Sequence, residues 1–254
     1  MKIISYNVNG IRAAMNKGFM SWATTVEPDI LCIQEIKAFE KQVNLTPIED
    51  EGYYHFWNSA ERAGYSGVAI FSKKQPNQVI YGTGNPIMDG EGRVIRADFD
   101  QFSLISLYIP SATNINRLEF KLAFCHAFSN YIYELRKEIP NLIICGDYNI
   151  CHQPIDIHDP IRLKNVSGFL PIEREWLSHY INYCGLVDSF RHFNQEPENY
   201  TWWSYRAGAR DRNKGWRLDY HMVSDSLMPH VRRSVHLPEA KHSDHCPILL
   251  ELDF

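Results

Sequence analysis

The chain has 254 residues, 44% of them apolar and 22% charged, with a formal net charge of −4. That size is ample for a sizeable core, its apolar runs are too short for a transmembrane helix, and its acidic balance argues against indiscriminate polyanion binding. The six cysteines (32, 125, 145, 151, 184 and 246) form no C-x-x-C pair, which points to reduced thiols in an intracellular compartment.

The first strand is expected near 2–7, directly after Met1, so no signal or transit segment is expected and a bacterial cytoplasmic location is the default. A helix should run from Phe19 to Val26 and stop before Pro28. Strands follow near 29–35, 53–57, 66–72, 77–81, 93–99 and 102–109, the last two hairpin-like neighbours. Thr113 is the expected N-cap of a long helix from Asn114 to Glu138, with Ile115, Leu118, Leu122, Cys125, Ile132 and Leu135 as its apolar stripe. A strand near 141–147 leads to a helix from about Pro171 to Tyr183, with proline in its first turn. Strands near 185–189, 218–224, 230–236 and 246–253 complete the pattern. Several strands are continuous apolar runs, as expected of sheets covered on both faces. Two packed mixed sheets with helices outside is the expected fold, and no linker or repeat divides 1–254 into smaller units.

Five of these segments meet acids or amides at one end: Asn7, Glu35, Asp147 with Asn149, Asp219, and Asp244 with His245. One strand-terminal acid usually just ends a strand; seven such groups describe a metal-dependent hydrolase site. Glu35 and Asp244 are the natural ligands for a hard divalent cation, because magnesium takes oxygen donors and typically one or two carboxylates. Zinc is disfavoured: His242 and His245 are three apart and no cysteine or further histidine has zinc spacing. Asp147 and Asn149, two apart, can share one side of a strand end, the acid to orient or deprotonate a water and the amide to donate to a phosphate. Asp219 can pair with His245 and favour its cationic form, which suits stabilising charge on a phosphoryl oxygen. Tyr108 closes a strand and is either a phosphate donor or packing.

From Tyr205 to Leu218 the chain carries Arg206, Arg210, Arg212, Lys214 and Arg217 against Asp211 alone, interleaved with Tyr205 and Trp216. Such a stretch fits a nucleic-acid face, although a lone charge cluster is more often a solvated loop.

The segments Ser5-Tyr6-Asn7-Val8-Asn9-Gly10-Ile11-Arg12-Ala13, Cys32-Ile33-Gln34-Glu35, Gly64-Tyr65-Ser66-Gly67-Val68-Ala69, Gly90-Glu91-Gly92-Arg93, Tyr108-Ile109-Pro110 and Gly146-Asp147-Tyr148-Asn149 occur in that order. They continue with Leu186-Val187-Asp188-Ser189-Phe190-Arg191, Tyr200-Thr201-Trp202-Trp203, Gly215-Trp216-Arg217-Leu218-Asp219-Tyr220 and Ser243-Asp244-His245-Cys246-Pro247. In this combination the chain resembles the exonuclease III family of abasic-site endonucleases, within the DNase I-like metal-dependent phosphodiesterases. The resemblance implies a four-layered α/β sandwich and magnesium-dependent hydrolysis 5′ to abasic sites in duplex DNA, with 3′→5′ exonuclease and 3′-end-cleaning activity. It implies Glu35 as magnesium ligand, manganese being a substitute, with Asn7 and Asp244 as further or water-mediated ligands beside Asp147 and Asn149. Asp147 would position the attacking water; Asn149, His245 and Tyr108 would hold the phosphate, with Asp219 supporting His245. Tyr65 and Arg206 would enter or brace the duplex, and Trp202, Trp216 and Leu218 would wall a pocket for an extruded abasic sugar, leaving Trp203 to the core. A monomer acting on duplex DNA with abasic or damaged 3′ ends, away from membranes, completes the expectation.

Two positions depart from the family pattern: Ile36 stands where threonine is usual, and Ser111 where asparagine is, which shortens or removes one phosphate contact. Sphingomyelinase, inositol-phosphatase or deadenylase relatives would keep the fold and change the substrate, but the Trp-Arg-Leu-Asp-Tyr run and Trp202-Trp203 favour the abasic-site branch. A catalytically silent DNA-binding module would require loss of one of the seven core groups, and all are present.

Overall fold

The computed structural model describes residues 1–112 and 117–254; the expected cap Thr113 and the segment 114–116 lie outside the described residues. Among the described residues there are twelve strands: β1 (Lys2–Asn7), β2 (Ile30–Gln34), β3 (Tyr54–Asn58), β4 (Val68–Ser72), β5 (Gln78–Tyr81), β6 (Val94–Asp98), β7 (Ser103–Tyr108), β8 (Leu142–Asp147), β9 (Leu186–Asp188), β10 (Asp219–Ser224), β11 (Val231–His236) and β12 (Ile248–Leu252). Each falls where the sequence predicts one. They form two six-stranded sheets, ordered β11-β12-β1-β2-β4-β3 and β5-β6-β7-β8-β10-β9. Each sheet has one parallel pair, β1 with β2 and β7 with β8, and is otherwise antiparallel.

Parallel neighbours need a crossover. Helices Ile11–Asn16 and Phe19–Val26 supply it between β1 and β2, and the long helix Leu118–Glu138 supplies it between β7 and β8. The long helix buries Phe124, Cys125, Phe128, Ile132 and Leu135, and also Lys121. Leu118 and Leu122, expected in its apolar stripe, are only half-buried. Phe124 and Phe128 lie on the buried face in their place. Helix Pro171–Tyr183 has the expected bounds.

Alternation along the strands separates the layers. Ile3, Ile30, Ile70, Ile143, Val223 and Leu250 pack in one cluster between the sheets. Ile4, Tyr6, Leu31, Ile33 and Leu249 face the helices over the first sheet. Ile105, Leu142, Ile144, Tyr220 and Met222 face the two long helices over the second. The result is a four-layered α/β sandwich. All six cysteines are buried and free, and no described helix is long and apolar enough to cross a membrane.

The two central strands of the second sheet approach closely at Gly146. A Cβ there would lie 1.8 Å from the Leu107 carbonyl oxygen, at a φ of +148. Glycine therefore lets β8 seat against β7 in the register that puts Tyr108 opposite Asp147.

Candidate active site

The parity that sends Ile3 between the sheets sends Ser5 and Asn7 there too. Ile143 and Cys145 lead in the same way to Asp147, and Val223 and His221 lead back to Asp219. Three polar side chains thus reach the seam at one end of the sandwich. Below them Gln34 Nε2 donates to Ser5 Oγ and Ser106 Oγ, each at 3.0 Å, a polar floor joining the sheets. Alternation would turn Glu35, one residue on, toward the helices. Its left-handed backbone, φ 52, ends the strand, and its carboxylate lines the seam instead. Asn9, Lys37, Ser66 and Asn149 also have positive φ. Asp244 and His245 are fixed by Trp203 N–H donating to the Asp244 carbonyl at 3.0 Å and Cys246 N–H to that of Thr201 at 2.7 Å.

These groups line a cleft of about 290 Å³ that holds Asn7, Glu35, Tyr108, Asp147, Asn149, Asp244 and His245 together with Ser111, Gly168, Trp202, Trp216 and Leu218. A larger hollow of about 440 Å³, among Met1, Lys73, Phe99, Phe102 and Phe254, gathers no such set. The first sheet contributes Asn7, Glu35, Asp244 and His245; the second contributes Tyr108, Asp147, Asn149 and Asp219.

His245 Nδ1 lies 2.9 Å from Asp219 Oδ2, which also accepts the Thr201 hydroxyl at 2.6 Å. Its Nε2 faces Asp147 Oδ2 at 3.8 Å. Burial alone would push this imidazole toward neutrality, but Asp219 and then Asp147 overcome it and hold the pKa up to about 10. Asp147 is 1% exposed, and burial raises its pKa well above the usual carboxylate range while the His245 cation opposes that rise. Its Oδ1 accepts Asn149 N–H at 2.8 Å, and its Oδ2 accepts Asn7 Nδ2 at 2.8 Å. A buried, partly basic carboxylate next to an imidazole held in its charged form at neutral pH can take a proton from water while the cation faces an anion.

At the other end of the cleft Glu35 Oε1 accepts the Tyr108 hydroxyl at 2.7 Å, with Lys37 Nζ at 3.4 Å. Burial and then Glu35 push the Tyr108 phenol well up, so it remains a donor. Asp244 Oδ1 accepts Asn9 Nδ2 at 3.0 Å and Oδ2 accepts Trp202 Nε1 at 3.0 Å. Burial opposes ionisation of Asp244, but His245 and these bonds hold its pKa below the ordinary value. The donors here are carboxylate and amide oxygens, the hard set that suits magnesium or manganese, and the lysine beside Glu35 shows that this carboxylate accepts a positive partner. Asp147, Asp219 and His245 also offer ligand atoms within 4.8 Å of one another. There, however, Asp219 is already committed to Nδ1 and the charged imidazole repels a cation.

Trp202 and Trp216 meet edge to face, 6.1 Å between centroids, and both are half-buried in the cleft wall. Trp203 is 5% exposed and belongs to the core, as expected. Tyr65 lies away from the cleft lining, its hydroxyl accepting from Arg93 and Arg117, each at 3.1 Å. Arg206 is exposed. The basic stretch is smaller than its sequence suggested: Arg217 is fully buried, with Nε 2.7 Å from Asp156 Oδ1 and Nη2 2.7 Å from Asp188 Oδ2. Arg210 is spent on the carbonyls of Ser243, Pro238 and Ala240. The cluster signal counted both because spacing cannot tell a buried guanidinium from a solvated one. Sequence reasoning also passed over Asn9 and Lys37, joined at 2.6 Å, and the Thr201 hydroxyl. All three sit inside or beside quoted motifs, which was the available signal.

Two facing sheets with carboxylates, an imidazolium and amides at their seam define a metal-dependent phosphoester hydrolase. Residues 4–245 match the Endonuclease/Exonuclease/phosphatase family. The chain belongs to that family, and it is a nuclease. It is 45% identical to an exodeoxyribonuclease of Bacillus subtilis over 98% of both chains. It is 40% identical to the DNA repair nuclease APEX1 of Danio rerio, over 99% of this chain and 82% of that one. An AP endonuclease from Archaeoglobus fulgidus superposes over all of both chains with a TM-score of 0.91 at 29% identity.

Proposed function

We propose that residues 1–254 act as one catalytic domain that hydrolyses the phosphodiester 5′ to abasic sites in duplex DNA with magnesium, and trims blocked or recessed 3′ ends at the same site. The carrying observation is that Asp147 and His245, the latter held by Asp219 behind it, line the cleft walled by Trp202, Trp216 and Leu218. Asp147 orients a water and takes its proton, held in place by Asn7 and Asn149. The His245 cation, fixed by Asp219, stands against the phosphoryl oxygens as charge grows there; Tyr108, neutral, would turn its one proton from Glu35 to the phosphate once that carboxylate holds the metal. Asn149 Nδ2 donates to the Ile109 carbonyl at 2.9 Å and to Asp147 Oδ2 at 3.3 Å, and it would exchange the longer of these bonds for a phosphate oxygen. Glu35 would hold the metal with Asp244 and Asn7 in support, supplying further positive charge against the phosphate. An abasic nucleotide loses little stacking when it leaves the helix, and a wall of Trp202, Trp216 and Leu218 on one side of the cleft would exclude nucleotides that keep a base. Arg206 and Tyr65 would brace the duplex at the rim. The site is complete within one chain, which supports a monomer, and six buried reduced cysteines support a cytoplasmic location.

A nicking assay on duplex DNA with one abasic site tests this. Incision at the abasic position should require a divalent cation, vanish with EDTA and be far slower on the intact duplex. Tight binding without incision would point to a binding module, and equal rates on both duplexes would remove the pocket's role.

A further inference from the structure

Lys121 is 0% exposed, near the start of the long helix Leu118–Glu138, and nothing in the catalytic set accounts for burying an ammonium there. Its partner is Glu173, also 0% exposed, with Nζ 2.6 Å from Oε1. A buried ion pair is costly to desolvate and weak evidence for stability alone, so what else the two groups touch decides the matter. Lys121 Nζ also donates to the main-chain carbonyl of Asn149 at 2.8 Å. Glu173 Oε2 accepts the N–H of Gly168 at 2.6 Å and of Leu170 at 3.0 Å, and Oε1 accepts the Ser167 hydroxyl at 3.2 Å.

The two ends of this pair hold two parts of the cleft. Asn149 has φ 52, a left-handed conformation that asparagine tolerates better than other non-glycine residues, and that backbone fixes where its carbonyl points. Its carbonyl is the group Lys121 grips, while its own N–H is bonded to Asp147. Ser167 and Gly168 form part of the cleft wall. Gly168 packs tightly: at its φ of +94 a Cβ would be strained and would lie 3.1 Å from the Trp216 ring and 3.3 Å from the Asn149 carbonyl oxygen. The Gly168 carbonyl in turn accepts Cys151 N–H at 2.7 Å, closing the loop that starts at the Asn149 turn.

A simpler role exists for Glu173 alone. It is the third residue of helix Pro171–Tyr183, where an acid satisfies the first N–H groups and complements the dipole. That role explains the bond to Leu170. It does not explain a lysine reaching from another helix to the carbonyl of a left-handed residue in the catalytic turn.

We propose that Lys121 and Glu173 are positioning residues that lock the Asp147–Asn149 turn to the Ser167–Gly168–Trp216 wall, so that water activation and the abasic pocket are held in register. The inference rests on the abasic-site reading above. Misplacing reacting groups by about 1 Å costs on the order of 10²-fold in rate, so loss of this lock should fall on kcat and on selectivity rather than on DNA binding.

The test compares wild type, Lys121→Met, Glu173→Gln and the neutral double variant Lys121→Met/Glu173→Gln. Each is assayed by single-turnover incision and duplex affinity, with activity expressed per folded molecule from near-UV circular dichroism. Glutamine keeps an acceptor for Gly168 and Leu170, and the double variant leaves no unpaired buried charge. The double variant should regain most of the thermal stability lost by Lys121→Met, yet incise about 10²-fold more slowly than wild type with nearly unchanged affinity and a narrowed abasic preference. Glu173→Gln, which keeps the lysine on the Asn149 carbonyl, should incise faster per folded molecule than Lys121→Met. If activity returns with stability in the double variant, the pair is structural only and the proposal fails. If the double variant does not fold, equal losses per folded molecule in the two single variants overturn it in the same way. Failure of wild type to incise would instead count against the abasic-site reading.

Discussion

His245 carries a positive charge because two carboxylates outweigh its burial, and Asp219 is the larger contributor. Asp219→Asn removes that contribution, so the folded pKa of His245 should fall and its charged form should be lost at lower pH. The alkaline limb of the incision rate should move acidward while its acidic limb, set by the raised pKa of Asp147, stays above the ordinary aspartate range. A pH profile of kcat checks both; an unchanged alkaline limb would separate Asp219 from the charge on His245. His245→Asn should lower turnover by about 10²–10⁴-fold with abasic duplex still bound, as measured by single-turnover rate and affinity together. At this level the sequence was highly legible. Asn7, Asp147 and Asp219 reach the seam by strand parity alone, and the Asp219–His245 pair has the expected contact. Glu35 reached the seam only through a left-handed turn that periodicity cannot foresee.

The wall of the pocket depends on an ion cluster among its supporting segments. Asp156, buried, accepts Arg217 Nε and Arg191 Nη2, each at 2.7 Å, and Arg217 also reaches Asp188. Arg217 lies between Trp216 and Leu218, so the cluster holds both walls from behind. Burial raises the Asp156 pKa, but Arg217 and then Arg191 override it and bring it down to about 2. A lowered carboxylate pKa adds stability above the unfolded value near 3.8, and that stability is lost as pH falls through about 2. Asp156→Asn leaves the buried Arg217 with Asp188 as its remaining carboxylate and should cost roughly 3–5 kcal/mol, read as a lower denaturant midpoint with the slope unchanged. The variant should also lose its part of the stability difference between pH 4 and pH 2. A loss well under ~1 kcal/mol would mean that water or Asp188 compensates. Strands and helices were legible here, down to the bounds of Pro171–Tyr183, because apolar runs and proline report local structure directly. The cluster was not: Arg217 read as surface charge, since its partners lie 61 and 29 residues away.

The fold brings two half-sites together only because the sheets face each other, one supplying Glu35, Asp244 and His245 and the other Tyr108, Asp147 and Asp219. That architecture predicts separable losses when either half is damaged. Trp216→Ala should stay folded and narrow the abasic-to-intact rate ratio, since the ring is half-buried in the cleft wall. A loss of roughly 3–5 kcal/mol of stability with the ratio intact would return it to the core. The division of labour itself is tested most directly by a metal titration of single-turnover incision on abasic duplex, run with wild type, Glu35→Gln and Asp147→Asn. Glu35→Gln should shift the magnesium midpoint upward and recover toward the wild-type plateau as metal is added. Asp147→Asn should leave the midpoint nearly in place and lower the plateau by about 10²–10⁴-fold. Identical midpoint shifts in both variants, or a full plateau for Asp147→Asn, would contradict the assignment of metal binding to one sheet and water activation to the other.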